Sequence, residues 1–176
     1  MKKVYLAILA LATLTFASCE KDPIGGTATQ KMAGQWYVLC QAIDEDGSVL
    51  YEDEDLFDIG QFFIHTYNTS TNGVDSMFVQ DMPGLQDNAF WGFQVKVACD
   101  LAQDTFNVTG GEDLINGATV DITNGKILRG AAKTPSGMAA DSIVFDVLFS
   151  DDTYAGVYYD RLRVTGYRYT GLVNDD

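Results

Sequence analysis

Histidine is nearly absent from this chain, occurring once, at His65. A single imidazole rules out a cluster of several histidine ligands within one chain. A Ser-His-Asp arrangement around it is formally open, but no Gly-x-Ser-x-Gly elbow accompanies it, so His65 reads as a strand residue at the surface or a rim. Positive charge is scarce as well: 11 Lys and Arg stand against 25 Asp and Glu, a formal net charge of −14. That field repels nucleic acid and anionic membrane surfaces, which excludes both as electrostatic partners. Three cysteines in 176 residues are too few for a disulfide scaffold. The apolar run from Val4 to Phe16 covers only about 13 residues, short of a membrane span. No cofactor and no metal are expected.

What is present begins with an address. Lys2 and Lys3 precede the apolar run, and the small residues Ala17 and Ser18 follow it directly before Cys19. This order of segments is that of a secretory signal. The cysteine after it resembles the bacterial lipobox, although Phe16 stands where leucine is usual. The resemblance implies that residues 1–18 are removed, that the Cys19 thiol is acylated and that the protein stays tethered by lipid. Each buried methylene of such an anchor contributes about 0.8 kcal/mol, so two or more chains are needed for stable attachment. The sequence Glu20-Lys21-Asp22 resembles the charged export signals of Bacteroidetes surface lipoproteins and points to the outer membrane, with surface exposure implied. Residues 19–32, with Asp22-Pro23 and Gly25-Gly26, read as a flexible tether. Residues 33–176 suffice for one domain with a true core.

From Ala33 onward the chain reads as strand, turn, strand. Trp36 to Ile43 is strand-rich and closed by Asp46-Gly47; Gln61 to Tyr67 and Val74 to Val79 flank Asn72-Gly73. Phe90 to Cys99 alternates, with Trp91, Phe93, Val95, Val97 and Cys99 on one side. Runs at 105–109, 118–123 and 126–132 follow, and Asn124-Gly125 between the last two predicts a hairpin. Ile143, Phe145, Val147 and Phe149 form another apolar stripe, and Tyr154 to Tyr169 supplies the closing strands. Glu52 to Gly60 is the one helical candidate. Eight or nine strands without helical period predict an all-β antiparallel barrel or sandwich with at most one short helix. On this reading Cys40 and Cys99 point inward as two free thiols rather than a bridge.

Gly34-Gln35-Trp36 opens the first strand and resembles the Gly-x-Trp element of lipocalin or calycin barrels. In such barrels the tryptophan plugs the closed end and an arginine of the last strand lies across its face. Alternation within Leu162 to Tyr169 puts Leu162, Val164 and Arg168 on one face, so Arg168 is the candidate and Arg163 the second choice. An eight-stranded barrel is either filled by side chains or just wide enough for one small ligand. Trp91, Phe93, Phe145 and Phe149 are therefore the candidate ligand-binding residues, lining an apolar pocket at the open end. Asp44-x-Asp46-x-Ser48 with Asp55 resembles a calcium loop, but Val49 replaces its sharp-turn glycine, which favours a solvated acidic hairpin.

A closer resemblance rests on an ordered set of segments. They include Ala33 to Val38, Asp75 to Val79, Phe93 to Asp100, Ile122 to Lys126, Thr134 to Gly137, Asp141 to Ile143 and Thr165 to Arg168. Together they resemble a Bacteroides lipoprotein family described as lipid-binding putative hydrolases, which implies a lipocalin-like barrel. No motif carries a catalytic residue over from it. The expected function is to hold a small hydrophobic or amphipathic ligand at the cell envelope. Two alternatives stand beside it: a hydrolase using carboxylates at the barrel mouth, and a surface interaction protein without a pocket.

Overall fold

The computed structural model of the chain describes residues 25–51, 60–81 and 90–175. The signal, Cys19, the first part of the tether and all of the helical candidate Glu52 to Gly60 except Gly60, Asp55 included, lie outside the described residues.

Eight antiparallel strands, each paired with the next in sequence, close into a barrel. They are β1 Gly34–Ile43, β2 Phe62–Asn68, β3 Ser76–Asp81, β4 Gln94–Asp100, β5 Thr105–Glu112, β6 Thr119–Lys133, β7 Ala139–Phe149 and β8 Arg161–Arg168. A 3-10 turn, Val173–Asp175, ends the chain. Closure comes from β8 returning to β1, in register from Trp36 opposite Arg168 to Ile43 opposite Arg161. With β1 and β8 paired, no unpaired strand edge is left among the described residues to recruit another chain. The seam is tight: a Cβ on Gly166 would overlap the Tyr37 carbonyl oxygen and stand 2.6 Å from Val38 Cα.

The period-two pattern decides which side chains enter. Trp36, Val38, Cys40 and Ala42 of β1, Ile143, Phe145, Val147 and Phe149 of β7, and Leu162 and Val164 of β8 are all buried. Together with Phe62, Ile64, Met77, Val79, Phe93, Val95, Val97 and Phe106 they form one continuous core. Each fully buried large side chain contributes about 1.5–3 kcal/mol of transfer free energy. Cys40 and Cys99 are both free; Cys40 is buried and Cys99 half-buried.

Three expectations are corrected. Asn124-Gly125 does not turn a hairpin: β6 runs straight through it, with a register shift against β7 between Thr123 and Lys126. Asn124 takes the left-handed conformation (φ 56°) inside a bulge, and its amide donates to Asp146 Oδ2 at 2.8 Å. Gly125 is required because a Cβ there would overlap the Phe106 carbonyl and stand 2.6 Å from its ring. Second, Tyr154 to Tyr169 holds one strand, not two, since 150–160 is a loop capped by Asp152 through the Tyr154 and Ala155 N–H groups. Third, β4 begins at Gln94, because Gly92 takes φ 76° and breaks the alternation between Trp91 and Phe93.

The two ends of the barrel differ. Segments 25–33, 69–75, 101–104, 134–138 and 169–175 gather at the end where Trp36 sits; the described loop residues 44–51, 60–61, 90–93, 113–118 and 150–160 gather at the other, here called the mouth.

Candidate functional site: the aromatic mouth

The far end is sealed first. Trp36 is 0% exposed, and its indole N–H donates to Thr66 Oγ1 at 2.8 Å, whose hydroxyl donates to the Met32 carbonyl at 2.6 Å. Arg168 lies over the indole, Cζ 4.4 Å from the ring centroid, and donates from Nη1 to the Ala33 carbonyl at 2.6 Å. Gly34 leaves room for this, since a Cβ there would stand 2.5 Å from Arg168 Nη1. Arg163, the second choice, faces outward instead, paired with Asp146 at 2.7 Å. The opposite end of the barrel is the mouth.

Three of the four candidate ligand residues meet there. Trp91 stacks on Phe149 with centroids 4.6 Å apart and planes 2° from parallel. Phe93 meets the same Phe149 ring edge-on at 5.1 Å, and Phe90 stacks on Phe62 at 4.8 Å while touching Phe149 at 6.0 Å. Phe145 is elsewhere: it packs on Phe106 at 5.8 Å, four residues down β7 and roughly 13 Å from Phe149 along the strand. Phe93, Phe145 and Phe149 are fully buried, packed against other side chains of the core. Only Trp91 of the four is half-exposed, and its indole N–H reaches Asp151 Oδ1 at 3.3 Å.

The residue that holds this plug was not singled out from the sequence. Asp81, the last residue of β3, is 1% exposed and faces inward at the mouth. Its Oδ2 accepts the N–H groups of Trp91 at 2.7 Å and Gly92 at 2.8 Å, while Oδ1 is buried without a partner among the described residues. Burial pushes this carboxyl above the usual range, against the N–H donations of Gly92, Trp91 and Phe90 and the neighbouring His65. The alternation Met77, Val79, Asp81 is the signal that could have found it, a charge at an inward position.

Beside Phe149 a cleft of about 430 Å³ opens to solvent. Leu148, Phe149 and Ala155 give it an apolar floor, and Asp121, Asp152 and Asp160 an acidic wall. That volume lies within the range of small-molecule sites. Around the mouth the loops expose Leu50, Tyr51, Leu114, Ile115, Val157 and Tyr158.

Burial, then Asp152, pushes the Cys40 thiol far up, and burial with the Asp152 hydrogen bond at 2.7 Å does the same to the Tyr159 phenol. His65 sits on the outward face of β2, its Nδ1 buried and unbonded among the described residues, and burial lowers its pKa. In the acidic hairpin Asp44 Oδ1 caps Ser48 N–H, and among the described residues no three His, Cys, Asp or Glu side chains converge as metal ligands.

No curated protein matches this sequence. The model of a family described as "Lipid-binding putative hydrolase" matches residues 21–173, which span the whole barrel. An eight-stranded barrel stopped at one end, aromatic at the other and matched over that length belongs to the lipid-binding putative hydrolase family.

Proposed function

We propose that this protein is a lipid-anchored cell-envelope lipoprotein, tethered through Cys19 at the outer membrane, whose barrel mouth binds the apolar part of a small amphipathic molecule. The observation that carries the reading is the half-exposed Trp91 ring lying flat on buried Phe149, beside a cleft floored by apolar side chains. An acyl chain entering there displaces or slides along the indole and gains aromatic and aliphatic contact on both sides. The backbone hydrogen bonds from Trp91 and Gly92 to Asp81 hold the plug segment while the ring moves. Asp121, Asp152 and Asp160 line the same cleft, so the ligand's head is neutral or cationic; a fatty-acid carboxylate would meet like charge. The family description supports a lipid as the ligand class.

One observation favours the hydrolase alternative. Asp81 is a buried carboxyl with a raised pKa and one oxygen without a partner among the described residues, the state a general acid needs. Two-carboxylate hydrolysis requires a second acid facing it. Among the described residues the charged group that acts on Asp81 is His65 and not another carboxylate, so binding is the better-supported reading.

Native mass spectrometry of the full protein purified from its own host tests this. The expected result is a co-purifying amphiphile with a neutral or cationic head. Protein free of any bound lipid, and indifferent to added monoacylglycerol, overturns the reading.

A further inference from the structure

The closed end carries a concave site of opposite electrostatic character on the outside of the barrel. A cleft of about 570 Å³ lies between the 27–33 turn and the ends of β6, β7 and β8, lined by Ala28, Gln30, Lys31, Arg129, Asp141 and Arg168. Three cations meet there in a chain that has 11 Lys and Arg in all. The carboxylates among them, within the described residues, are Asp104 and Asp141, so the described cluster keeps a surplus positive charge within a molecule of net charge −14.

The donors are positioned and incompletely used. Lys31 Nζ touches Asp104 at 3.1 Å. Arg129 donates from Nε and Nη2 to Asp104 and from Nη1 to Asp141 at 2.8 Å. Arg168 has its face on Trp36, Nη1 on the Ala33 carbonyl and Nε 3.5 Å from Asp141, leaving Nη2 without a bond among the described residues. An ammonium and two guanidinium groups offer about a dozen N–H donors, of which fewer than half are engaged. The two aspartates fix where the cations point, and the Arg129 contacts hold Asp104 below the usual carboxylate range. Spare, pre-aimed N–H groups around a cleft are what a tetrahedral oxyanion binds.

We propose that this cleft binds a phosphate-type oxyanion, supplied either by a lipid phosphomonoester headgroup or by free inorganic phosphate. The chain leading back to Cys19 arrives at this end, and the stretch from Cys19 to Gly25 spans at most about 20 Å when extended. An acylated Cys19 therefore keeps the cleft within reach of membrane headgroups, while the aromatic mouth points away.

The test is calorimetric titration of the full chain with inorganic phosphate and, separately, with dihexanoyl phosphatidate, a soluble phosphomonoester lipid. The variants are Lys31→Gln, Arg129→Gln and, as a control outside the cleft, Lys133→Gln, each checked for native circular dichroism. Saturable binding of at least one ligand is expected, weakened several-fold by Lys31→Gln and about tenfold or more by Arg129→Gln, which removes charge-assisted donors. Lys133→Gln should bind as the parent does. Binding of phosphatidate alone assigns the lipid source, and binding of inorganic phosphate assigns the free ion; either supports the site. If Arg129→Gln does not fold, the half-exposed Lys31 carries the comparison. Failure of both ligands to bind, or equal affinity for the Lys31→Gln and Lys133→Gln proteins, overturns it.

Discussion

Replacing Gly34 by alanine tests the closed end through a residue that makes no contact of its own. A Cβ at this position would stand 2.5 Å from Arg168 Nη1, 3.1 Å from its Cζ and 3.4 Å from Trp36 Cε2. The guanidinium is the flexible partner, so it moves off the indole and the clash itself is relieved. What is lost is the contact set that required its position. The cation–π interaction over a buried indole contributes about 1 kcal/mol, and the charge-assisted hydrogen bond to the Ala33 carbonyl about 1.5 kcal/mol at the lower end of its range. Gly34→Ala should therefore cost about 2–3 kcal/mol, lowering the melting temperature by roughly 5–10 °C for a chain of this size. Thermal unfolding followed by circular dichroism reads the shift. In an Arg168→Met background the same substitution should cost far less, since the guanidinium is already gone. A wild-type melting temperature for Gly34→Ala, or an equal cost in both backgrounds, refutes the link between glycine and arginine.

Gly166→Ala should damage the barrel seam more severely, because its Cβ meets the Tyr37 and Val38 backbone rather than a mobile side chain; a loss of about 3 kcal/mol or more is expected in urea unfolding. Removing the guanidinium with Arg163→Met leaves Asp146, 2% exposed, with Asn124 as its one remaining side-chain partner among the described residues, and should cost about 3 kcal/mol, partly restored in the Asp146→Asn/Arg163→Met double variant. The raised pKa of Asp81 has a definite sign: the native state holds that proton more tightly, so its contribution is complete below the unfolded value of ~3.9 and declines as pH rises through the folded value. Asp81→Asn should thus gain stability relative to the parent between pH 4 and pH 7, and a difference that stays constant over that interval contradicts the assignment.

The strands could be read from the chain wherever one face is buried, because period-two alternation in β1 and β7 is itself the consequence of a filled interior. Asn124-Gly125 shows where local reading stops. The dipeptide supplies the positive φ of a turn, but the bulge over Phe106 uses that same conformation within a continuous strand. Alternation likewise puts Phe93 and Phe149 inside without saying whether rings line a space or fill it; that depends on how closely β4 and β7 approach across the barrel. Trp91 and Phe145 fall on the same inward-facing stripes in sequence, yet a glycine at 92 and four strand residues separate their environments. The cluster of Lys31, Asp104, Arg129 and Asp141 comes from four distant segments, and nothing local marks it.

The two tryptophans stand at opposite ends, Trp36 sealed at one and Trp91 half-exposed at the other, which makes the mouth directly measurable. A monoacylglycerol with a brominated chain, titrated against the single-tryptophan proteins Trp36→Phe and Trp91→Phe, quenches by contact. Saturable loss of Trp91 emission in the first protein with Trp36 emission unchanged in the second is the expected result. Equal quenching of both indoles, or of neither, contradicts binding at the aromatic mouth.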